Sequence, residues 1–216
     1  MRLDPSILCV YRQGNNKKEK ATQVGTAFLF KYKNIQYLAT AYHVLQQASQ
    51  DGTPQFLSKC GKLFDLKHIQ DEDYCEVICD QLDFYIIKLK EKLISIDVIF
   101  CEEKIKQDPY ELVLTIGYPN SRNKKRIDAL NKKAQLTSLR LTQSNRRANG
   151  STMPTTGDSP YFSMCWEGRA LNKDWIEIDA IAIRGMSGAP CFYVPFGEED
   201  VLLSLEPYIG VQLQQF

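Results

Sequence analysis

Short β-forming segments, separated by turn signals about every ten residues, constrain the fold of this chain more than any other feature. Apolar and polar residues alternate in several of them, and long helical periodicity is absent. This pattern predicts antiparallel strands arranged as a sandwich or barrel. The predicted strands are residues 6–12, 23–31, 35–40, 63–66, 75–79, 82–89, 93–100, 111–116, 135–142, 161–166, 175–183, 191–194 and 208–213.

The clearest local prediction is a hairpin, in which residues 23–31 and 35–40 flank the turn signal Lys33-Asn34. Residues 41–47 are apolar on one side and contain no helix breaker, which predicts one or two helical turns. Residues 101–110 are polar and contain a proline, so we expect them to link two halves of the chain.

The bulk composition excludes several classes of protein. The chain has 216 residues, of which 44% are hydrophobic and 25% charged, as in ordinary globular proteins. A net charge of +1 gives no global attraction to nucleic acid or membrane. No apolar run reaches the roughly 18–20 residues that span a bilayer, and the N-terminus does not resemble a signal peptide. We therefore expect a cytoplasmic protein with no membrane association.

Seven cysteines form an odd set without a disulfide framework, so reduced thiols are expected. The alternative is a metal site that draws on His68, Cys75 and Cys79. Their spacing matches no standard zinc pattern, and the chain has only two histidines. We therefore predict no metal and no cofactor.

Residues 122–147 contain nine lysines or arginines and one acid, Asp128. We interpret this segment as a solvated face of the protein. The alternative is contact with an acidic partner or with nucleic acid. Aromatic residues, on which single-stranded nucleic acids stack, do not interleave with these charges, so nucleic acid is not favoured as a partner.

Three polar residues stand in contexts that suit nucleophilic catalysis. His43 lies at a predicted strand-to-helix junction, and Asp83 opens a strongly apolar strand. Ser187 lies between two glycines, in Gly185-Met186-Ser187-Gly188. Taken singly, each is more often a turn or surface residue. All three together, in the order His, Asp, Ser and in a β-rich chain, are far less often an accident than any one of them alone.

The segments around these residues resemble the trypsin/chymotrypsin-like serine peptidases, and most closely the HtrA-like bacterial type. The resembling segments are residues 25–30, 38–45, 82–89, 116–119, 178–188 and 208–211. The resemblance implies an all-β fold of two antiparallel β-barrels of the chymotrypsin type. The first barrel would span residues 1–104 and carry the histidine and the aspartate. The second would span residues 105–216 and carry the serine, with the active site in the cleft between them.

The chemistry of peptide hydrolysis explains why these residue types are needed. A serine hydroxyl is a poor nucleophile until an imidazole, here that of His43, takes its proton. Asp83 would hold that imidazole in the correct tautomer. The backbone N–H groups of Gly185 and Ser187 would form the oxyanion hole, in which each donor is worth roughly 3–4 kcal/mol in comparable sites.

The resemblance also carries expectations about specificity and activation. Ile181 occupies the position that reads charge in trypsin-like enzymes, which predicts an apolar or shallow pocket. Leu213, Gln214 and Gln215 would supply the strand that pairs with the substrate backbone. Met186 stands where zymogen-activated relatives carry an aspartate, so activation by that route is not expected.

The leading hypothesis is a serine endopeptidase that acts on a protein or peptide substrate. It would be regulated by a partner protein or by an additional domain beyond residue 216. The first alternative is a peptidase-like module that binds peptides with little or no turnover. The second is an enzyme that stays inactive until an effector orders the loop around Gly185.

Overall fold

In a computed structural model of the chain, the regular structure of the described residues is mostly β, which confirms the all-β prediction. The described residues are 6–12, 22–50, 53–58, 61, 63–69, 76–79, 83–90, 99–100, 112–123, 137–143, 164–171, 177–178, 184–193 and 206–211. The helices within these ranges are α1 (Tyr42–Ser49), α2 (Leu66–Ile69) and α3 (Asn120–Asn123). None of these three is long and apolar enough to cross a bilayer.

The first sheet is built from the strands before residue 101. They are β1 (Ile7–Arg12), β2 (Thr22–Tyr32), β3 (Ile35–Ala41), β4 (Gln55–Ser58), β5 (Leu63–Asp65), β6 (Glu76–Cys79), β7 (Phe84–Lys88) and β8 (Ile99–Phe100). Seven of them follow the order β5-β4-β1-β2-β3-β7-β6, with every neighbouring pair antiparallel. The two-residue strand β8 pairs in parallel with β2.

The hairpin of β2 and β3 and the short helix after it confirm the corresponding predictions. Tyr32 pairs with Ile35, which leaves Lys33 and Asn34 as a two-residue turn. Their φ angles are 46° and 67°, and hairpin turns of type I′ need positive φ at both central residues. Asparagine tolerates this conformation better than most residues.

The first sheet and α1 enclose an apolar core. The helix contributes Val44, Leu45 and Ala48 from one face. Alternate residues of the strands complete the cluster: Leu8, Val10, Ala27, Leu29, Leu38, Ala41, Phe56, Phe64, Tyr85 and Ile87, with Ile69 and Leu89 beside them. Each fully buried aliphatic side chain contributes roughly 1.5–3 kcal/mol, so this core fixes the position of α1 on the sheet.

The second sheet is built from the strands after residue 111. They are β9 (Leu112–Gly117), β10 (Thr137–Gln143), β11 (Met164–Leu171), β12 (Glu177–Ile178), β13 (Pro190–Tyr193) and β14 (Glu206–Val211). Their order is β12-β11-β10-β9-β13-β14, and all neighbours are antiparallel. The predicted linker and the boundary at residue 104 lie outside the described residues.

Some predicted elements differ from the structure. Residues 66–69 form a helical turn because the Asp65 carboxylate accepts a hydrogen bond from the backbone N–H of Lys67 at 3.0 Å, which favours a helix start. Strand β4 was not predicted as a separate element, since four residues without alternation give little signal. Of the predicted strand 175–183, the described residues are Glu177 and Ile178, and both belong to β12.

The two sheets contact each other through buried polar groups. The Tyr118 hydroxyl, directly after β9, donates to the carbonyl oxygen of Ile7 on β1 at 3.1 Å. The side-chain amide Nε2 of Gln23 on β2 donates to the carbonyl of Tyr118. Buried polar groups need such partners, so these bonds fix the register of one sheet against the other.

Candidate active site

His43 is placed by the junction of β3 and α1. It is the second residue of the helix, and the residue at the N-cap, Ala41, offers no side-chain acceptor. The first N–H groups of a helix lack partners within the helix. Asp83, directly before strand β7, supplies one, since its Oδ1 accepts from the His43 backbone N–H at 2.9 Å. The aspartate therefore caps α1 across the sheet.

The same carboxylate also holds the imidazole. The distance between His43 Nδ1 and Asp83 Oδ2 is 2.6 Å, and the two side chains are 27% and 30% exposed. The backbone of Asp83 is left-handed, with φ 50°, and its carbonyl accepts from the Tyr42 N–H at 3.1 Å. Backbone and side chain together fix the carboxylate against the ring.

This contact decides how the imidazole is protonated. An aspartate carboxylate offers only acceptors, so His43 Nδ1 must donate the hydrogen in the 2.6 Å contact. In the neutral ring, Nε2 then carries a lone pair and can accept a proton. A histidine in this tautomer can act as a general base.

Ser187 lies in a tight turn between the sheets. The N–H of Ala189 donates to the carbonyl of Met186 at 2.8 Å, which closes a four-residue turn. Gly188 is at its third position with φ 82°, a conformation that type II turns require there. A Cβ on Gly188 would also overlap the carbonyl oxygen of Thr26. The turn therefore depends on glycine at this position.

Thr26 on β2 ties this turn to the first sheet. Its N–H donates to the Ser187 carbonyl at 2.9 Å, and its Oγ1 donates to the Gly185 carbonyl at 2.9 Å. The same Oγ1 accepts from the Tyr118 N–H at 3.0 Å. The carbonyl of Thr26 accepts from the Thr40 hydroxyl at 2.7 Å. One buried residue thus positions both ends of the Gly-x-Ser segment.

Replacing Thr26 by valine is expected to destabilise the protein by about 2–3 kcal/mol. The change keeps the shape of the side chain but leaves the Gly185 carbonyl and the Tyr118 N–H without the hydroxyl between them. The midpoint of thermal unfolding should fall by roughly 5–10 °C. Thr26→Ser, which keeps the hydroxyl, is the matched control and should stay close to wild type. Equal stability of the valine and serine variants would contradict this role.

Gly185 presents its N–H in a defined direction. Its φ is 94°, and a Cβ there would lie 2.8 Å from the backbone nitrogen of Asn120. The N–H of Asn120 donates to the carbonyl of Arg184 at 2.7 Å. Because a peptide unit is planar and trans, the N–H of Gly185 points opposite to that carbonyl. The hydrogen bonds of the described residues include none donated by the N–H of Gly185 or of Ser187.

A single cavity joins these groups. It has a volume of about 780 Å³, and His43, Asp83, Gly185 and Ser187 all line it. The remaining lining residues are Arg12, Thr22, Gln23, Val24, Gln47, Gln50, Asn120 and Arg184. The imidazole–carboxylate pair comes from the first sheet, and the serine turn precedes β13 of the second.

The structure thus brings the predicted catalytic and oxyanion residues to one cavity. The four predicted substrate-binding residues, Ile181, Leu213, Gln214 and Gln215, lie outside the described residues. Sequence reasoning missed four further contributors: Thr26, Asn120, Arg12 and Arg184. Thr26 lies inside a segment that carries the family resemblance, but only the tertiary contacts reveal its role.

Two cysteines with described side chains are free thiols, Cys9 and Cys191. Burial raises the pKa of the Cys191 thiol to about 11, although a hydrogen bond with Thr115 opposes this. Burial likewise raises the pKa of Cys9 far above its usual range. Both are therefore neutral and unreactive at pH 7. Among the described residues, no group of three or more His, Cys, Asp or Glu side chains is arranged to hold a metal ion.

Comparison of the chain with protein-family models and with curated proteins finds no match. The cavity is therefore the feature of the molecule that bears most directly on its function. Its central feature is that a serine turn faces the same space as an aspartate-bound imidazole.

Proposed function

We propose that the protein is a serine endopeptidase of the trypsin/chymotrypsin-like type, with Ser187 as nucleophile, His43 as general base and Asp83 as the group that orients it. The observation that carries this proposal is the 2.6 Å contact between His43 Nδ1 and Asp83 Oδ2 in a cavity that Ser187 also lines. The Oδ2 contact orients the ring and fixes its tautomer, and the Oδ1 contact holds the backbone of the same histidine, as general-base catalysis requires.

Acylation would follow from this arrangement. Ser187 Oγ attacks the scissile carbonyl, and its proton moves to His43 Nε2 as the Oγ–C bond forms. The N–H groups of Gly185 and Ser187 donate to the oxyanion that develops. When the C–N bond breaks, His43 returns the proton to the leaving amine. Water then hydrolyses the acyl ester by the same proton transfers, which regenerates the serine.

The proposal extends to the fold. The two sheets would be the two antiparallel β-barrels of the chymotrypsin type, with residues 1–104 and 105–216 as their limits. In support, His43 on α1 and Asp83 directly before β7 lie beside the first sheet, and the serine turn directly precedes β13 of the second sheet. Residues of both groups line the cavity. The core of the first sheet, which gathers residues from six of its strands, is what a barrel interior would contain.

Regulation by a partner or an attached domain remains part of the proposal, as does a cytoplasmic location. Met186 is fully buried in the serine turn. An aspartate at that position, as zymogen activation would use, would bury a charge that needs a cationic partner. This burial supports a mode of activation that does not depend on a newly cut N-terminus.

The proposal is tested with a proteome-derived peptide library and mass spectrometric detection of new termini. The wild-type protein should generate cleavage products, and His43→Ala should not. Peptides that bind to both proteins and are cut by neither would indicate a peptide-binding module instead. Cleavage only after addition of a second protein would indicate an effector-dependent enzyme.

A further inference from the structure

We propose that the cavity selects substrates with an acidic side chain, Asp or Glu, within two residues of the scissile bond, and that Arg184 and Arg12 recognise it. This inference rests on the proposed function, because it names the substrate class of the same site. It follows from the charges that line the cavity and from two amide oxygens that lack partners.

The cavity wall carries two guanidinium groups. Arg12 and Arg184 line it, and the carboxylate among its described lining residues is Asp83. Both oxygens of that carboxylate are already engaged by His43, one by the backbone N–H and one by the ring. The carboxylate of Asp83 is thus already engaged by His43, and a second anion from outside would meet the exposed guanidinium group of Arg184.

Arg184 is well placed to meet a substrate. It is exposed, and it directly precedes Gly185, whose N–H belongs to the proposed oxyanion hole. Its backbone is fixed by the 2.7 Å hydrogen bond from Asn120 to its carbonyl. In the described part of the chain, its side chain has no carboxylate partner. A guanidinium anchored in this way suits a carboxylate close to the scissile bond.

Arg12 reaches the same cavity from the end of β1. Its Nη1 lies 3.5 Å from Gln50 Oε1 at the end of α1. Gln47, one helical turn after His43, also lines the cavity. The wall beyond the imidazole therefore offers a cation and amides rather than an apolar surface, and a charged substrate side chain can be solvated there.

Two amide oxygens indicate that the ligand also brings N–H donors. Gln23 Oε1 and Asn120 Oδ1 are buried and have no hydrogen-bond partner among the described residues, and both side chains line the cavity. Gln23 is only 7% exposed, and its Nε2 is committed to the Tyr118 carbonyl, so its oxygen cannot exchange places with the nitrogen. Buried acceptors of this kind normally accept at least one hydrogen bond.

A peptide meets both requirements at once. Its main-chain N–H groups can satisfy the two amide oxygens while an acidic side chain contacts the guanidinium groups. A small inorganic anion has no such N–H donors, and a nucleic-acid backbone offers phosphate acceptors but no N–H groups. The combination of cations and fixed acceptors therefore favours an acidic peptide.

The test uses matched peptides that differ only by Glu against Gln, or Asp against Asn, at each of the two positions on either side of the cleavage site. The wild type should cleave the acidic peptide about five- to tenfold faster in kcat/KM at one or more of these positions. The preference should shrink as salt rises, because the contact is partly exposed. Arg184→Glu should reverse the charge preference, so that a third matched peptide with lysine at the same position is cleaved faster than the acidic peptide.

The control variant is Lys67→Gln, which removes an exposed positive charge outside the cavity and should keep the wild-type ratio. The double variant Arg12→Gln/Arg184→Gln should bring the ratio close to one. An equal rate for acidic and amide peptides in the wild type, or a preference that survives in the double variant, would overturn the proposal.

Binding to Ser187→Ala separates this inference from the proposed function. Fluorescence anisotropy of the same labelled peptides measures recognition whether or not the wild type cleaves them. Tighter binding of the acidic member, lost in the double arginine variant, would support acidic recognition even if hydrolysis were absent. Binding of a single-stranded oligonucleotide in preference to the acidic peptides, with the same arginine dependence, would assign the cavity to phosphate and overturn the proposal.

Discussion

Replacing Ser187 by alanine should lower kcat for peptide hydrolysis by about 10⁵- to 10⁶-fold while leaving the folded structure intact. The loss is large because alanine removes the proposed nucleophile, and the members of a triad act as a unit. The hydrogen bond that holds the turn, from the Thr26 N–H to Ser187, uses the carbonyl of Ser187 rather than its hydroxyl. The free energy of unfolding should therefore change by less than about 0.5 kcal/mol.

The measurement is kcat on the best library substrate, together with the urea midpoint of each protein. Ser49→Ala is the matched control, since Ser49 is an exposed serine of α1 outside the cavity wall. It should retain wild-type activity. An alanine variant at position 187 that keeps more than a hundredth of the wild-type rate would rule out Ser187 as the nucleophile.

Replacing Asp83 by asparagine should lower kcat by about 10⁴-fold, as in other triads that lose this carboxylate. The two contacts of Asp83 with His43 explain the effect. An asparagine has one oxygen, and if that oxygen keeps the 2.9 Å cap on the His43 N–H, its amide nitrogen faces Nδ1. The ring must then accept at Nδ1 and carry its hydrogen on Nε2. An imidazole in that tautomer cannot take the serine proton.

This substitution preserves the fold because asparagine tolerates the left-handed backbone that residue 83 adopts. The cost in stability should be about 1–2 kcal/mol, since one of the two hydrogen bonds is lost or reversed. Asp65→Asn is the matched control: its carboxylate also accepts a backbone N–H, but outside the cavity. Nitrogen NMR of the imidazole should show the hydrogen moving from Nδ1 to Nε2. Activity of Asp83→Asn within tenfold of wild type would contradict the assigned role.

Local chemistry made much of the β-framework predictable. The hairpin turn at Lys33-Asn34 and the helix after β3 depend on neighbouring residues, so sequence pattern suffices for them. The order of strands depends on distant residues instead. Strand β1 lies between β2 and β4, a pairing that no local signal encodes.

In the candidate site, too, some residues can be predicted from their local sequence and others only from tertiary contacts. His43, Asp83 and the glycine-flanked Ser187 are visible in the sequence because each stands in a distinctive local context. The role of Thr26 is invisible there, since its contacts join residues more than ninety positions apart in the chain. The two arginines of the cavity wall were missed for the same reason: Arg12 and Arg184 are brought together only by the packing of the two sheets.

The most direct test of the central claim is covalent labelling with a fluorophosphonate probe, followed by peptide mapping of the modified residue. Such probes react with a serine that a neighbouring base has activated. We predict a single label, on Ser187, in the wild-type protein, and no label in His43→Ala or Asp83→Asn over the same period. Labelling at any other residue, or labelling of Ser187 at equal rates in the wild type and in His43→Ala, would contradict the proposed triad.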